Sequence, residues 1–178
     1  MKKQIILTAS LFVVLFSASA QSFKSSDKIL SLGIGLGSPF FGSGYKASLP
    51  VNPTISFEKG VSDQISAGAT VSYASSKYSY NIFGSSNTIK YNAIFVGARG
   101  AYHILPNNEK FDLYAGGGLG YVIVSVGDKV DAITATGSGV GYTAFIGGRY
   151  LFSKNMGAYT ELGYASLSFL NVGVSFKF

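Results

Sequence analysis

The sequence predicts an all-β fold: a closed, antiparallel, eight-stranded transmembrane β-barrel in up-and-down meander order. Three observations predict it. Apolar residues alternate with small or polar ones through eight segments, the period-two signature of a strand with two unlike faces. The polar face is mainly Gly, Ser, Thr and Ala, which suits the crowded interior of a narrow barrel. Charged residues make up only 12% of the chain, and in mid-strand they avoid the apolar parity.

The first twenty residues stand apart. Lys2 and Lys3 precede an apolar run from Ile5 to Phe16, and Ala18-Ser19-Ala20 has the A-x-A form of a cleavage site. This reads as a secretory signal peptide over residues 1–20, with residues 21–178 as the exported barrel domain. The run is short for a membrane-spanning helix, which needs ~20 apolar residues. Cleavage removes two lysines and no acid, lowering the formal charge from +6 to +4. The basic residues form no run, which argues against nucleic acid as a partner. The chain has no cysteine, hence no disulfide framework, thiolate metal site or cysteine nucleophile.

The eight segments follow in order. In 29–37, Leu30, Leu32, Ile34 and Leu36 oppose Ser31, Gly33, Gly35 and Gly37. In 51–59, Ile55 and Phe57 oppose Thr54, Ser56 and Glu58, and in 65–77, Ile65, Val71 and Tyr73 oppose Ser66, Gly68, Thr70 and Ser72. In 89–103, Ile94, Val96 and Tyr102 oppose Phe95, Gly97, Arg99 and Ala101. In 111–125, Leu113, Leu119, Tyr121 and Ile123 oppose Tyr114, Gly116, Gly118 and Gly120, although Val122 and Val124 blur the polar face. In 140–152, Tyr142, Ile146 and Tyr150 oppose Thr143, Gly147 and Arg149, and in 157–165, Leu162 and Tyr164 oppose Tyr159 and Glu161. In 168–178, Leu170, Val172, Val174, Phe176 and Phe178 oppose Asn171, Gly173, Ser175 and Lys177.

Linkers 60–64, 104–110 and 153–156 are short; 38–50, 75–88 and 126–139 are long and rich in Gly, Ser or Asn. The link near Ser166 is short where a long one is expected. Short turns at one end and long loops at the other are the pattern of an outer-membrane barrel, with the short turns and both termini periplasmic. A soluble barrel also alternates, but it must cover its outer wall with charge. Here the outward set is continuous and apolar, with Tyr and Phe near the strand ends as interfacial girdles. In lipid every backbone N–H and C=O needs an internal partner, which a closed sheet supplies.

The last segment places Val172, Val174, Phe176 and Phe178 on one face. With this strand, the leader and the alternation, residues 21–178 resemble the small eight-stranded outer-membrane barrels, the OmpX-like and OmpA barrel-domain proteins. The resemblance implies an outer-membrane protein of a Gram-negative bacterium, in contact with outer-membrane lipid and lipopolysaccharide. It also implies that the terminal aromatic strand is the signal read by the barrel-assembly machinery. No peptidoglycan-binding domain follows the barrel in this sequence, so the likeness is to OmpX-like chains rather than full-length OmpA. The leader ending in Ala-Gln resembles exported proteins of Bacteroidetes.

Glu58, Arg99, Arg149 and Glu161 fall on the polar parity and predict a layer of alternating charge in the periplasmic half of the lumen. Lys177 shares that parity. Counted outward from Asn155, Arg149 and Glu161 are equidistant, which makes them expected cross-strand neighbours. Glu58 and Arg99 lie at similar heights above their own short turns. Such a layer works either as a plug or as a gate. The resemblance to the OmpA barrel implies the gate; the narrowness of eight strands favours the plug.

Enzymatic candidates are sparse. His103 is the single histidine; no serine adjoins it in sequence, and it reads as a rim residue at the 104–110 turn. A lipid A-modifying enzyme needs a nucleophile or base within reach of its histidine. One histidine and scattered carboxylates form no ligand cluster, so neither metal nor cofactor is expected. The glycines of 33–37 and 116–120 open no helix and lack the Lys-Ser/Thr ending of a phosphate loop. Loop residues Phe40, Phe41, Tyr45, Tyr78, Tyr80 and Phe83 are candidates for contact with an extracellular ligand. Lys46, Lys77, Lys90 and Lys129 are expected to face outer-leaflet phosphates. The expected function is a non-enzymatic envelope protein, structural and adhesive, with a low-conductance channel as the alternative.

Overall fold

The computed structural model describes residues 22–38, 45–49, 51–82, 85–104, 108, 110–126 and 135–178. They form β1 (Lys28–Leu36), β2 (Tyr45–Ala47), β3 (Asn52–Gly60), β4 (Ile65–Ile82), β5 (Ser85–His103), β6 (Phe111–Val126), β7 (Ala135–Leu151), β8 (Met156–Ala165) and β9 (Ser168–Lys177). Eight of these strands close a barrel. The order runs β1–β3–β4–β5–β6–β7–β8–β9, and β9 returns to β1, with every pair antiparallel. The short β2 lies outside this ring and pairs with β4 from Ser76 to Tyr78. The expected eight-stranded meander is therefore the observed one.

The alternation sorts the side chains as the strand geometry demands. Leu32, Ile34, Ile55, Phe57, Val71, Val96, Leu119, Ile146 and Leu162 stand exposed on the outer wall, where lipid covers them. Ser31, Thr54, Ser56, Thr70, Ser72, Thr143 and Ser175 are buried in the lumen. These small groups bond to each other across strands: Ser31 Oγ lies 2.8 Å from Ser175 Oγ, and Thr54 Oγ1 lies 3.0 Å from Ser72 Oγ.

One end of the barrel carries turns 61–64 and 152–155 and the described residues 104, 108 and 110 between β5 and β6, together with residues 22–27 and Phe178. The other end carries β2, the β4–β5 hairpin and the turn Ser166-Leu167. Short turns assign the first end to the periplasm.

Two expectations change. Much of 75–88 is strand rather than loop, because β4 and β5 stay paired as far as Ile82 and Ser85. Ser, Asn and Tyr read as loop composition, yet paired backbone keeps a polar ribbon folded outside the lipid. Likewise β7 starts at Ala135, within the expected loop 126–139. Val122, which blurred the polar face of β6, is a lumen residue. It packs with Ala74, Ala93, Phe95 and Leu167 into an apolar cluster beneath the extracellular end. Leu167 reaches that cluster because the β8–β9 turn folds inward, with Ser166 at φ 65° and the Leu167 carbonyl accepting from Asn52 Nδ2 at 3.0 Å.

The lumen glycines have a steric role. Phe95, Tyr114, Phe145 and Tyr159 each lie against glycines: a Cβ at Gly116 would stand 2.7 Å from the Phe145 ring, and one at Gly147 would strike Tyr114. Gly147→Ala is therefore expected to destabilise the barrel by about 1–3 kcal/mol, the cost of overpacking. Thermal unfolding in micelles checks this, with Gly148→Ala, whose Cβ meets nothing within 4 Å, as the neutral control.

Candidate functional site: a charged layer in the lumen

The layer is built from the register. Glu58 on β3 lies beside Gly68 on β4, and Gly68 beside Arg99 on β5. Gly118 on β6 flanks Arg99 on the other side. Glycines on both sides leave the guanidinium free to swing into the lumen. There Arg99 Nε lies 2.6 Å from Glu58 Oε1, and Nη2 lies 2.6 Å from Glu161 Oε1 on the opposite wall. The guanidinium carbon sits 4.2 Å from the Phe145 ring centroid, so the cation also has an aromatic face beneath it. Tyr114 Oη donates to Glu161 Oε1 at 3.1 Å. Arg99 is 6% exposed, Glu58 2% and Glu161 3%, so the three charges are held away from water.

A second group lies nearer the periplasm. Arg149 Nη1 donates to Asp112 Oδ2 at 2.6 Å, and the two residues are direct register partners on β7 and β6. His103 Nδ1 lies 2.7 Å from Asp112 Oδ1, and Nε2 lies 3.1 Å from Ser66 Oγ. The Ser66 hydroxyl donates in turn to Glu58 Oε2 at 3.3 Å. Ser66 thus links the His103 ring to Glu58, and Asp112 links it to Arg149. Phe23, from the segment before β1, stacks on the imidazole at 3.5 Å and 4° and closes the periplasmic mouth.

The structure corrects three readings. Arg149 and Glu161 are not direct neighbours: Arg149 faces Tyr159, and Glu161 faces Gly147. The β7–β8 turn centres on Lys154, since Leu151 pairs with Gly157. Asn155 is drawn instead to β9, where its Nδ2 donates to the Lys177 carbonyl at 2.7 Å. His103 is not a rim residue but is fully buried, and Ser66 from the neighbouring strand lies beside it. The site also includes Asp112 and Tyr114. Asp112 shares the inward parity of Tyr114 and Gly116, a signal present at the very start of its strand.

Ser66, His103 and Asp112 have the residue types of a hydrolase triad, but their hydrogen bonds run otherwise. The Ser66 hydroxyl is shared between His103 and Glu58, Asp112 is shared with Arg149, and Phe23 covers the ring. All three side chains are fully buried. Among the described residues no three His, Asp or Glu side chains form a group able to hold a metal ion.

The remaining candidates lie elsewhere. Val172, Val174 and Phe176 pair with Ile34, Leu32 and Leu30 at the β9–β1 seam that closes the barrel. Phe178 is exposed at the periplasmic rim, and its backbone exchanges hydrogen bonds with Lys28. Tyr45 lies on β2 opposite Tyr78 on β4, and Tyr80 follows on β4, so these three occupy strands rather than loops. Tyr78 is exposed. Phe40, Phe41, Phe83 and Lys129 lie outside the described residues.

Residues 8–178 match the outer membrane protein beta-barrel domain. The chain belongs to that family. Its location is the outer membrane of a Gram-negative bacterium. Solved structures agree on the fold. The outer membrane protein OprG from Pseudomonas aeruginosa is 13% identical, with a TM-score of 0.55 over 88% of this chain and 97% of that one. Escherichia coli outer membrane protein W is 11% identical, with a TM-score of 0.50 over 87% and 99%. A de novo designed transmembrane β-barrel is 15% identical, with a TM-score of 0.51 over 89% and 100%. No curated protein matches the chain by sequence.

Proposed function

We propose that this family member is a non-enzymatic envelope protein whose barrel is closed to solutes and whose extracellular end meets other surfaces. The observation that carries this is the filling of the lumen at three levels. Phe23 stacks on His103 at the periplasmic mouth, the Glu58–Arg99–Glu161 bridge crosses the lumen just above it in the periplasmic half, and Leu167 with Phe95 and Val122 fills the extracellular half. An eight-stranded barrel has just enough width for side chains, so such layers leave no continuous water path. Catalysis gains no support from Ser66 and His103, which are sealed from substrate. The aromatic last strand, ending in Val172, Val174, Phe176 and Phe178, is proposed as the signal for the barrel-assembly machinery.

The test is a deletion strain. Loss of the protein should raise leakage of a periplasmic marker and sensitivity to bile salts, and the wild-type chain should reverse both. Uptake of small solutes should stay unchanged. Normal permeability in the deletion strain, or reduced solute uptake, would contradict the reading.

A further inference from the structure

Above the apolar cluster, at the extracellular end of the lumen, an open pocket of about 220 Å³ lies against β6 and β7. Val122, Val124, Gly137 and Gly139 line it, with Ser138 and Val140 completing the wall. Val122 pairs with Gly139 and Val124 with Gly137, so these four share the inward face. Val122 also belongs to the cluster with Phe95 and Leu167, and Val124 packs against it, so the pocket ends on that cluster. None of the lining residues is charged. The β6–β7 register shifts between Val124 and Ser125, at the outer edge of the pocket.

The glycines of this wall differ from those deeper in the lumen. There, glycines seat aromatic rings: Phe95 lies on Gly97, Gly120 and Gly141, Phe145 on Gly116, Tyr114 on Gly147, and Tyr159 on Gly33 and Gly173. A flat ring fits because only backbone stands beneath it. Gly137 and Gly139 continue the inward row of Gly141 toward the extracellular end, yet a Cβ on either would meet nothing within 4 Å. No ring of the described residues covers them. A glycine inside a strand weakens the sheet, and it often marks a bulge or the close approach of another group.

We propose that this pocket binds a small, uncharged molecule with a flat apolar ring, reaching it from outside the cell. An apolar cavity of roughly 150 Å³ takes up benzene, so about 220 Å³ holds one substituted ring. The backbone of Gly137 and Gly139 receives the ring face as the deeper glycines receive Phe95, and Val122 and Val124 close on its edge. A charged ligand would lose its water with no partner in return. Because the pocket ends on the apolar cluster, the molecule is held rather than passed on. The site stands whether or not the protein acts in adhesion.

The test is thermal unfolding of protein purified from outer membranes into micelles, with toluene as the probe and benzoate as the same ring carrying a charge. Toluene at about tenfold its dissociation constant should raise the wild-type midpoint by roughly 3–6 °C, and benzoate should not. The G137V/G139V variant places side chains in the pocket. It should unfold at or above the wild-type midpoint and gain no protection from toluene; it also measures any effect of toluene on the micelle. The milder G137A/G139A variant should be as stable as the wild type and keep only part of the toluene shift. A wild type indifferent to toluene, or a valine variant protected as much as the wild type, overturns the site. So does an alanine variant as destabilised as Gly147→Ala, because the space is then not open. Equal protection by benzoate overturns the assignment to an uncharged ligand.

Discussion

Replacing Arg99 by methionine is expected to lower the stability of the barrel by about 3–5 kcal/mol, the cost of breaking a buried ion pair from one side. Arg99 bridges Glu58 and Glu161 from opposite walls, and all three are nearly inaccessible to water. Its removal leaves two carboxylates facing each other across a narrow lumen. Their hydrogen-bond donors then reduce to Ser66 and Tyr114. Urea unfolding followed by far-ultraviolet circular dichroism measures the loss; the chain has no tryptophan for fluorescence. Adding Glu58→Gln and Glu161→Gln should recover most of it, because no unpaired charge then remains. A loss below about 1 kcal/mol is the range of exposed pairs and would mean that the layer is wet.

Asp112→Ala is expected to cost a similar amount, about 3–5 kcal/mol. Both carboxylate oxygens are used, one by His103 and one by Arg149. Arg149 Nε has no hydrogen-bond partner among the described residues, so Asp112 is the main anchor of that guanidinium. The Asp112 and Arg99 groups touch through Ser66, which contacts both His103 and Glu58. Their losses should therefore not add: a double-mutant cycle should show coupling of about 0.5–3 kcal/mol. Strict additivity would mean two independent sites.

Much of this was legible in the chain because strand parity is a local property. Leu30, Leu32 and Ile34 on one face of β1, and Glu58, Arg99, Arg149 and Glu161 on the inward parity, need no tertiary information. Pairing partners need more. Moving the centre of one turn from Asn155 to Lys154 shifts the partner of Arg149 by two residues, from Glu161 to Tyr159. What draws Asn155 away is a bond to β9, a contact remote in sequence. His103 followed the inward parity of Arg99 and Ala101, but its place at a strand end suggested a turn. The closures by Phe23 and Leu167 have no periodic signal at all. One comes from an irregular segment, and the other from a two-residue turn that folds into the lumen.

The central claim is that paired charges and inward-folded ends close the lumen. Planar-bilayer recording tests it most directly, with protein purified from outer membranes beside a Phe23→Ala, Arg99→Met double variant. A silent wild type, with discrete openings only once the stopper and the bridge are removed, is the predicted result. Discrete openings in the wild type would contradict the account and turn the same residues into the gate of a channel.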